Sequence, residues 1–154
     1  MPRLLLFAPC ERVIIGDDGT ASLITLLETL RLNVEQGAAL PDEDKDLAVP
    51  FTWHALALWT REETDKDGPS YNLKLQLVMP NGATPIELET HLAFGEGKPN
   101  HRSVFKVVGF PIARASGVAM ARLLIKPIGS VDNWEEAATF PVLMVIPSTE
   151  PAQV

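Results

Sequence analysis

The chain has 154 residues, 46% of them hydrophobic and 21% charged, a mix that supports one domain with a sizeable core and lies far from that of disordered chains. Thirteen Lys and Arg against twenty Asp and Glu give a formal charge of −7, and no basic run could track a phosphate backbone or an anionic membrane, so neither nucleic acid nor a membrane is an expected partner. Cys10 is the one cysteine, which excludes an intrachain disulfide and a four-cysteine zinc site and agrees with a reducing compartment.

The opening stretch, MPRLLLFAPCERVII, reads as strand material. Its apolar run over residues 4–8 is shorter than the ~7–15 residues of a secretory signal, and Pro9 stands where a lipoprotein box needs a small residue before the cysteine. No apolar run approaches the ~20 residues of a membrane-spanning helix. The expected localisation is cytoplasmic. Val13-Ile14-Ile15, then Gly16-Asp17-Asp18-Gly19, then residues 22–27 make two strands around a tight turn, because glycine supplies positive φ and aspartate tolerates it. Residues 22–34 (SLITLLETLRLNV) fit a helix by their leucines at 23, 26, 27 and 30, and a strand by Ile24, Thr25 and Thr29; the strand is the expectation.

Residues 36–50 form a long connection. Residues 51–60 read as a strand on which Leu56 and Leu58 occupy the face that should be polar, so both sides look buried. Tyr71-Asn72-Leu73-Lys74-Leu75-Gln76-Leu77-Val78-Met79 alternates apolar and polar, Pro80-Asn81-Gly82 is turn chemistry, and residues 86–94 alternate again: a β-hairpin. Residues 104–110, 118–125 and 140–146 complete the set. Gly117 starts the penultimate strand, which carries Arg122 and Lys126 on one side and Ala119, Ala121, Leu123 and Ile125 on the other.

The expected fold is all-β: a single antiparallel two-sheet β-sandwich of seven to nine strands, immunoglobulin- or C2-like, over residues 1–147, with a flexible tail at 148–154. Phe7-Ala8-Pro9-Cys10-Glu11-Arg12-Val13-Ile14-Ile15 with its Asp/Gly turn and Ser22-Leu23-Ile24, the later Pro-Asn-Gly hairpin, and Gly109-Phe110-Pro111 before a final pair of strands resemble a group of bacterial proteins of unassigned function. That resemblance implies a β-sandwich and carries over no catalytic residues.

Glu87, Glu89 and His91 sit at alternate positions of one strand and so share a sheet face, which is both what a metal site and what a solvated face would look like. The solvated face is the expectation. Three acidic connections, Asp17-Asp18, Asp42-Glu43-Asp44-Lys45-Asp46 and the stretch holding Asp65 and Asp67, could offer carboxylates to Ca²⁺; the first and third would share one end of the fold if the strands simply alternate direction. No closing glutamate completes a twelve-residue calcium loop. His54 reads as a hydrogen-bonded core or interface residue, and Cys10 as a buried, inert thiol. No nucleophile elbow, phosphate-binding glycine loop or zinc-protease motif is present, Glu135 and Glu136 are neighbours rather than opposed carboxylates, and neither enzyme activity nor a cofactor is expected.

A strand apolar on both faces needs cover on its outer side, from the same chain or from another. Trp53, Leu56, Leu58 and Trp59 are therefore the expected interface of a homodimer or of a protein partner, with cover by the same chain as the alternative. The expected function is a non-catalytic binding or assembly module. Its rivals are a Ca²⁺-dependent loop-binding module and a small hydrolase with an unfamiliar site.

Overall fold

The computed structural model describes residues 1–31, 48–65, 67–112, 116–131 and 133–146. The acidic run at 42–46, most of the 36–50 connection and the tail at 148–154 lie outside the described residues. Nine strands are present: β1 (Arg3–Ile15), β2 (Ala21–Leu26), β3 (Thr29–Arg31), β4 (Ala48–Thr60), β5 (Gly68–Val78), β6 (Ile86–Phe94), β7 (Asn100–Pro111), β8 (Gly117–Pro127) and β9 (Glu135–Val145). They form two sheets, A in the order β2-β1-β4-β7 and B in the order β3-β9-β8-β5-β6. There is no helix among the described residues, so none is long and apolar enough to cross a membrane.

Alternation builds the core. Leu73, Leu75 and Leu77 of β5 are fully buried, as are Ala119, Ala121 and Leu123 of β8, while the intervening positions reach solvent. Trp53, Ala55, Ala57 and Trp59 of β4 join them in one cluster that draws on both sheets. In the β5–β6 hairpin Gly82 adopts φ 85° and its N–H donates to Met79 O at 2.8 Å, while Asn81 Oδ1 accepts from Ala83 N at 3.0 Å. That is the turn the Pro-Asn-Gly sequence calls for.

Two expectations need correction. The ladders are antiparallel except β3 with β9, which run parallel from Thr29↔Leu143 to Arg31↔Val145. The cause lies in residues 22–31, which are not one strand. Thr25 takes φ 53°, costly for a β-branched side chain, and the ladder to β1 has no partner pair at Thr25. Leu26 still pairs with Cys10 in sheet A, but Leu27 turns into the core and Glu28 O accepts from Leu143 N at 2.8 Å, which places β3 in sheet B.

β1 also divides. Up to Cys10 it pairs with β4; beyond Cys10 its ladder is with β2 alone, so residues 11–26 form a two-stranded arm. A straight arm would carry Ile15 about 30 Å past the level of Leu6. Arg102 is level with Leu6 through Leu58, yet its guanidinium donates to Gly19 O at the arm's tip. His54, on the outer face of β4, has Nδ1 3.0 Å from Glu11 O just past the bend, and since a carbonyl only accepts, Nδ1 carries the proton. The arm therefore folds back across the outer face of sheet A. Leu56 lies between those two contact points and is 3% exposed.

Candidate interaction surface

The four residues expected at an interface separate by parity. Trp53 and Trp59 are each 1% exposed and point into the core with Ala55 and Ala57. Trp53 Nε1 donates to Gly109 O at 3.2 Å, where Gly109 takes φ 89°, and its ring lies 5.7 Å from that of Phe110. No partner reaches either tryptophan without opening the core. Leu56 is on the outer face but sealed within the chain, and Leu58 is half-buried beside it. Leu56 is covered by its own chain, where the arm crosses β4.

Exposed apolar surface lies elsewhere on the same sheet. Leu6, Ile14, Ile24, Leu26, Val104 and Val108 are between 39% and 76% exposed, and all belong to β1, β2 or β7. Pairing places Leu6 beside Leu58, Val104 beside Leu56 and Val108 beside Thr52, so these three share the outer face of sheet A. On the arm, Val13 and Leu23 face each other half-buried, whereas Ile14 and Ile24 occupy the more exposed positions. The signal for this surface was present: the runs at 13–15 and 22–27 are apolar without alternation, so one face of any ribbon they form must carry unburied aliphatics.

The outer face of sheet B is charged over β5 and β6, while Val118 and Leu143 pair exposed at one end of β8 and β9. Lys74 Nζ lies 2.9 Å from Glu87 and 3.0 Å from Glu89, and Gln76 Nε2 donates to the other oxygen of Glu87 at 2.7 Å. The bond to Glu87 raises the Lys74 pKa against the opposing effect of burial, with Glu89 adding to the rise; the bonds from Gln76 and then Lys74 lower that of Glu87. His91 Nδ1 is 2.7 Å from Asn72 Oδ1, and Arg122 pairs with Glu136 at 2.6 Å. Glu87, Glu89 and His91 thus share a face, and each engages the neighbouring β5. Trp134, which drew no attention in the sequence, lies between two cations, 4.7 Å from Lys74 Nζ and 4.8 Å from Lys126 Nζ.

The acidic turns are locally occupied. Asp18 Oδ1 accepts from Thr20 N and Thr20 Oγ1, and those bonds lower its pKa. Asp65 is buried and accepts from Tyr71 Oη at 2.6 Å with one oxygen and from Glu62 N at 2.7 Å with the other. Asp67 pairs with Arg61 at 2.6 Å. Among the described residues no three His, Cys, Asp or Glu side chains converge as metal ligands. Asp17, Asp18, Asp65 and Asp67 are therefore not brought together as a set, because Asp65 and Asp67 hold the link between β4 and β5 while Asp17 and Asp18 ride on the arm. Cys10 is buried, and burial raises its pKa although the Arg12 N–H partly offsets the rise, a shift that disfavours the nucleophilic thiolate.

A cavity of about 210 Å³ opens between β6 and β7, lined by Pro85, Ile86, Leu88, Val107 and Val108 together with the charged Glu87 and Lys106. Glu87 is already engaged by Lys74 and Gln76, so the cavity gathers no nucleophile and base. Neither a scan against known protein-family models nor a search of curated proteins returns a match to this chain.

Proposed function

We propose that the protein is a non-catalytic binding or assembly module that acts through the arm side of sheet A, on a second copy of itself or on a protein partner. One observation carries this reading: aliphatic side chains stand exposed on the outer face of sheet A and on the arm, whereas ion pairs cover much of sheet B, where Val118 and Leu143 are the exposed aliphatics. An apolar patch of this sort marks an interaction surface more often than idle surface in a soluble globule. The wiring supports an immunoglobulin-like sandwich, since β1, β4 and β7 neighbour one another in one sheet and β9, β8, β5 and β6 in the other. A cytoplasmic, bacterial setting belongs to the same proposal, resting on the single buried thiol and on the likeness of the opening stretch to the bacterial group. The test is association measured by light scattering at tens of micromolar for the full chain and for a Val104→Asp, Val108→Asp variant. Loss of association, or of a bound partner, with an unchanged circular dichroism spectrum is the expected outcome. Association untouched by polar substitutions anywhere on sheet A would sink the reading.

A further inference from the structure

We infer that the free edge of β7 takes an extended segment of a partner protein as a fifth strand of sheet A, a segment whose residues alternate between aliphatic and acidic. The inference rests on the assembly reading above and narrows it to a protein partner, one edge and one pattern of side chains.

The backbone sets the form of the occupant. β7 and β6 are the terminal strands of the two sheets, and neither has a second ladder among the described residues, so each presents a row of N–H and C=O groups that an extended chain can pair. The two strands follow one another in the chain and stay together at one end, where the Phe94 and His101 rings lie 6.2 Å apart. Toward the other end they part. Along the inward row of β6, Phe94 and Leu92 are buried whereas Thr90, Leu88 and Ile86 are only half-buried, and the cavity of about 210 Å³ opens at that level beside Val107.

The side chains set its pattern. A strand laid along β7 sends alternate residues to opposite faces of sheet A. Its inward residues meet the cavity, which is smaller than the ~300 Å³ at which small-molecule pockets begin and suits one aliphatic side chain better than a whole ligand. Its outward residues lie beside Arg102, Val104, Lys106 and Val108, all of them exposed. Arg102 already donates to Gly19 O, but Lys106 has no ion-pair partner among the described residues. Charge on this sheet also runs against that of the chain: its strands hold Arg3, Arg12, Arg102 and Lys106 against Glu11 alone, in a protein of formal charge −7. An acid beside Lys106 is therefore favoured and a base disfavoured. The edge of β6 offers the opposite, since Glu87 and Glu89 share its outward row and Lys74 is the one cation bonded to both.

The probe is a fluorescent synthetic peptide of about eight residues, an ordinary strand length, alternating leucine and glutamate. Its binding to the full chain is read by anisotropy, and its place by hydrogen exchange of the backbone amides. Binding is expected, with slower exchange at alternate amides over residues 102–108 and none of this in β2 or β6. Methylating alternate backbone nitrogens of the peptide, or replacing its glutamates by lysines, should weaken binding about tenfold or more. Lys106→Glu should weaken it about fivefold or more with an unchanged circular dichroism spectrum, and should reverse the preference so that the lysine peptide binds better. Binding that survives backbone methylation, ignores Lys106→Glu or slows exchange in β2 or β6 instead of β7 overturns the inference. So does a parent chain that binds no peptide at about millimolar concentration. So do β7 edge amides already protected in the free chain at tens of micromolar, which would assign the edge to a second copy. In each case, association that is lost in the Val104→Asp, Val108→Asp variant leaves the assembly reading standing.

Discussion

The outer faces of the two sheets solve one problem in opposite ways. On sheet B most outward residues of β5 and β6 are polar, β8 adds Arg122 and Lys126 among Val118, Met120 and Leu124, and the long side chains pair across strands, Lys74 with Glu87 and Glu89, Arg122 with Glu136. Such a face needs only water. On sheet A the same positions carry Leu56, Leu58, Ala8 and Val104, and the chain spends sixteen residues on an arm that folds over part of them. The cover is incomplete, and the arm brings aliphatics of its own. A strictly alternating sheet face can therefore be read as finished, whereas a face sealed by a hairpin passes the unburied surface one layer outward.

The largest expected effect breaks the comparison at Leu56. Replacing this sealed side chain by aspartate places a charge with no partner under the arm, and a loss of stability of about 3 kcal/mol or more is expected in chemical denaturation. Leu26→Asp, on a side chain 45% exposed, should cost less than about 1 kcal/mol. Equal losses at both positions would mean that the arm does not seal the sheet.

The next effect lies where the chain passes from β4 in sheet A to β5 in sheet B, and it asks whether two such different layers unfold together. Burial first, and then the bond to Asp65, push the Tyr71 pKa up to about 12 from an ordinary 10.0. The folded state favours the neutral phenol, so this contribution is complete below pH ~10 and is lost as pH rises from ~10 toward ~12. Tyr71 is the single tyrosine, so the ultraviolet absorbance of tyrosinate reports on it alone. Its midpoint should sit near 12 in the folded protein, and melting temperature should fall over the same interval. Tyr71→Phe should remove that alkaline step and cost about 2 kcal/mol at neutral pH, because the buried Asp65 carboxylate loses a donor. A midpoint near 10 would refute the clasp between the layers.

How far the sequence discloses all this depends on what a two-residue period encodes. It states which neighbours share a face, and over residues 71–79 and 86–94 that sufficed to place the alternating side chains, since β5 and β6 pair in unbroken register from Tyr71↔Leu92 to Leu77↔Ile86. The same rule separates Trp53 and Trp59, at odd positions, from Leu56 and Leu58, at even ones, so those four could not all have met one partner. What the period does not encode is where a strand loses its partner. β1 looks continuous from residue 3 to 15, and nothing in Cys10-Glu11-Arg12 announces that the ladder to β4 ends there. Thr25 gives no warning either, because its positive φ is imposed by the crossing from one sheet to the other rather than by its own preference.

A smaller effect sharpens the comparison from the side of sheet B. Lys74→Met keeps the stem that lies beside Trp134 but removes the charge shared by Glu87 and Glu89, leaving two acids at alternate positions of one strand without their cation. Both acids are about half exposed, so solvent limits the cost to about 0.5–1 kcal/mol, and high salt should reduce the difference between variant and parent. A cost that does not change with salt would mean that packing on Trp134, and not the ion pairs, finishes this face.

The smallest effect is expected on the inner side of sheet A. Ser103 faces the core opposite Ala57, and its Oγ is buried with no partner; Trp59 Nε1, two residues along the neighbouring strand, is in the same condition. An unmade hydrogen bond costs the desolvation of the group, whereas an apolar side chain of similar shape avoids it. Ser103→Ala should therefore leave stability unchanged or raise it by up to about 1 kcal/mol, and it should not alter association, since the side chain points away from the arm. A loss of more than about 1 kcal/mol would show that the hydroxyl is satisfied in solution, by a buried water shared with the Trp59 indole, and that the interior behind the apolar face holds a polar site of its own.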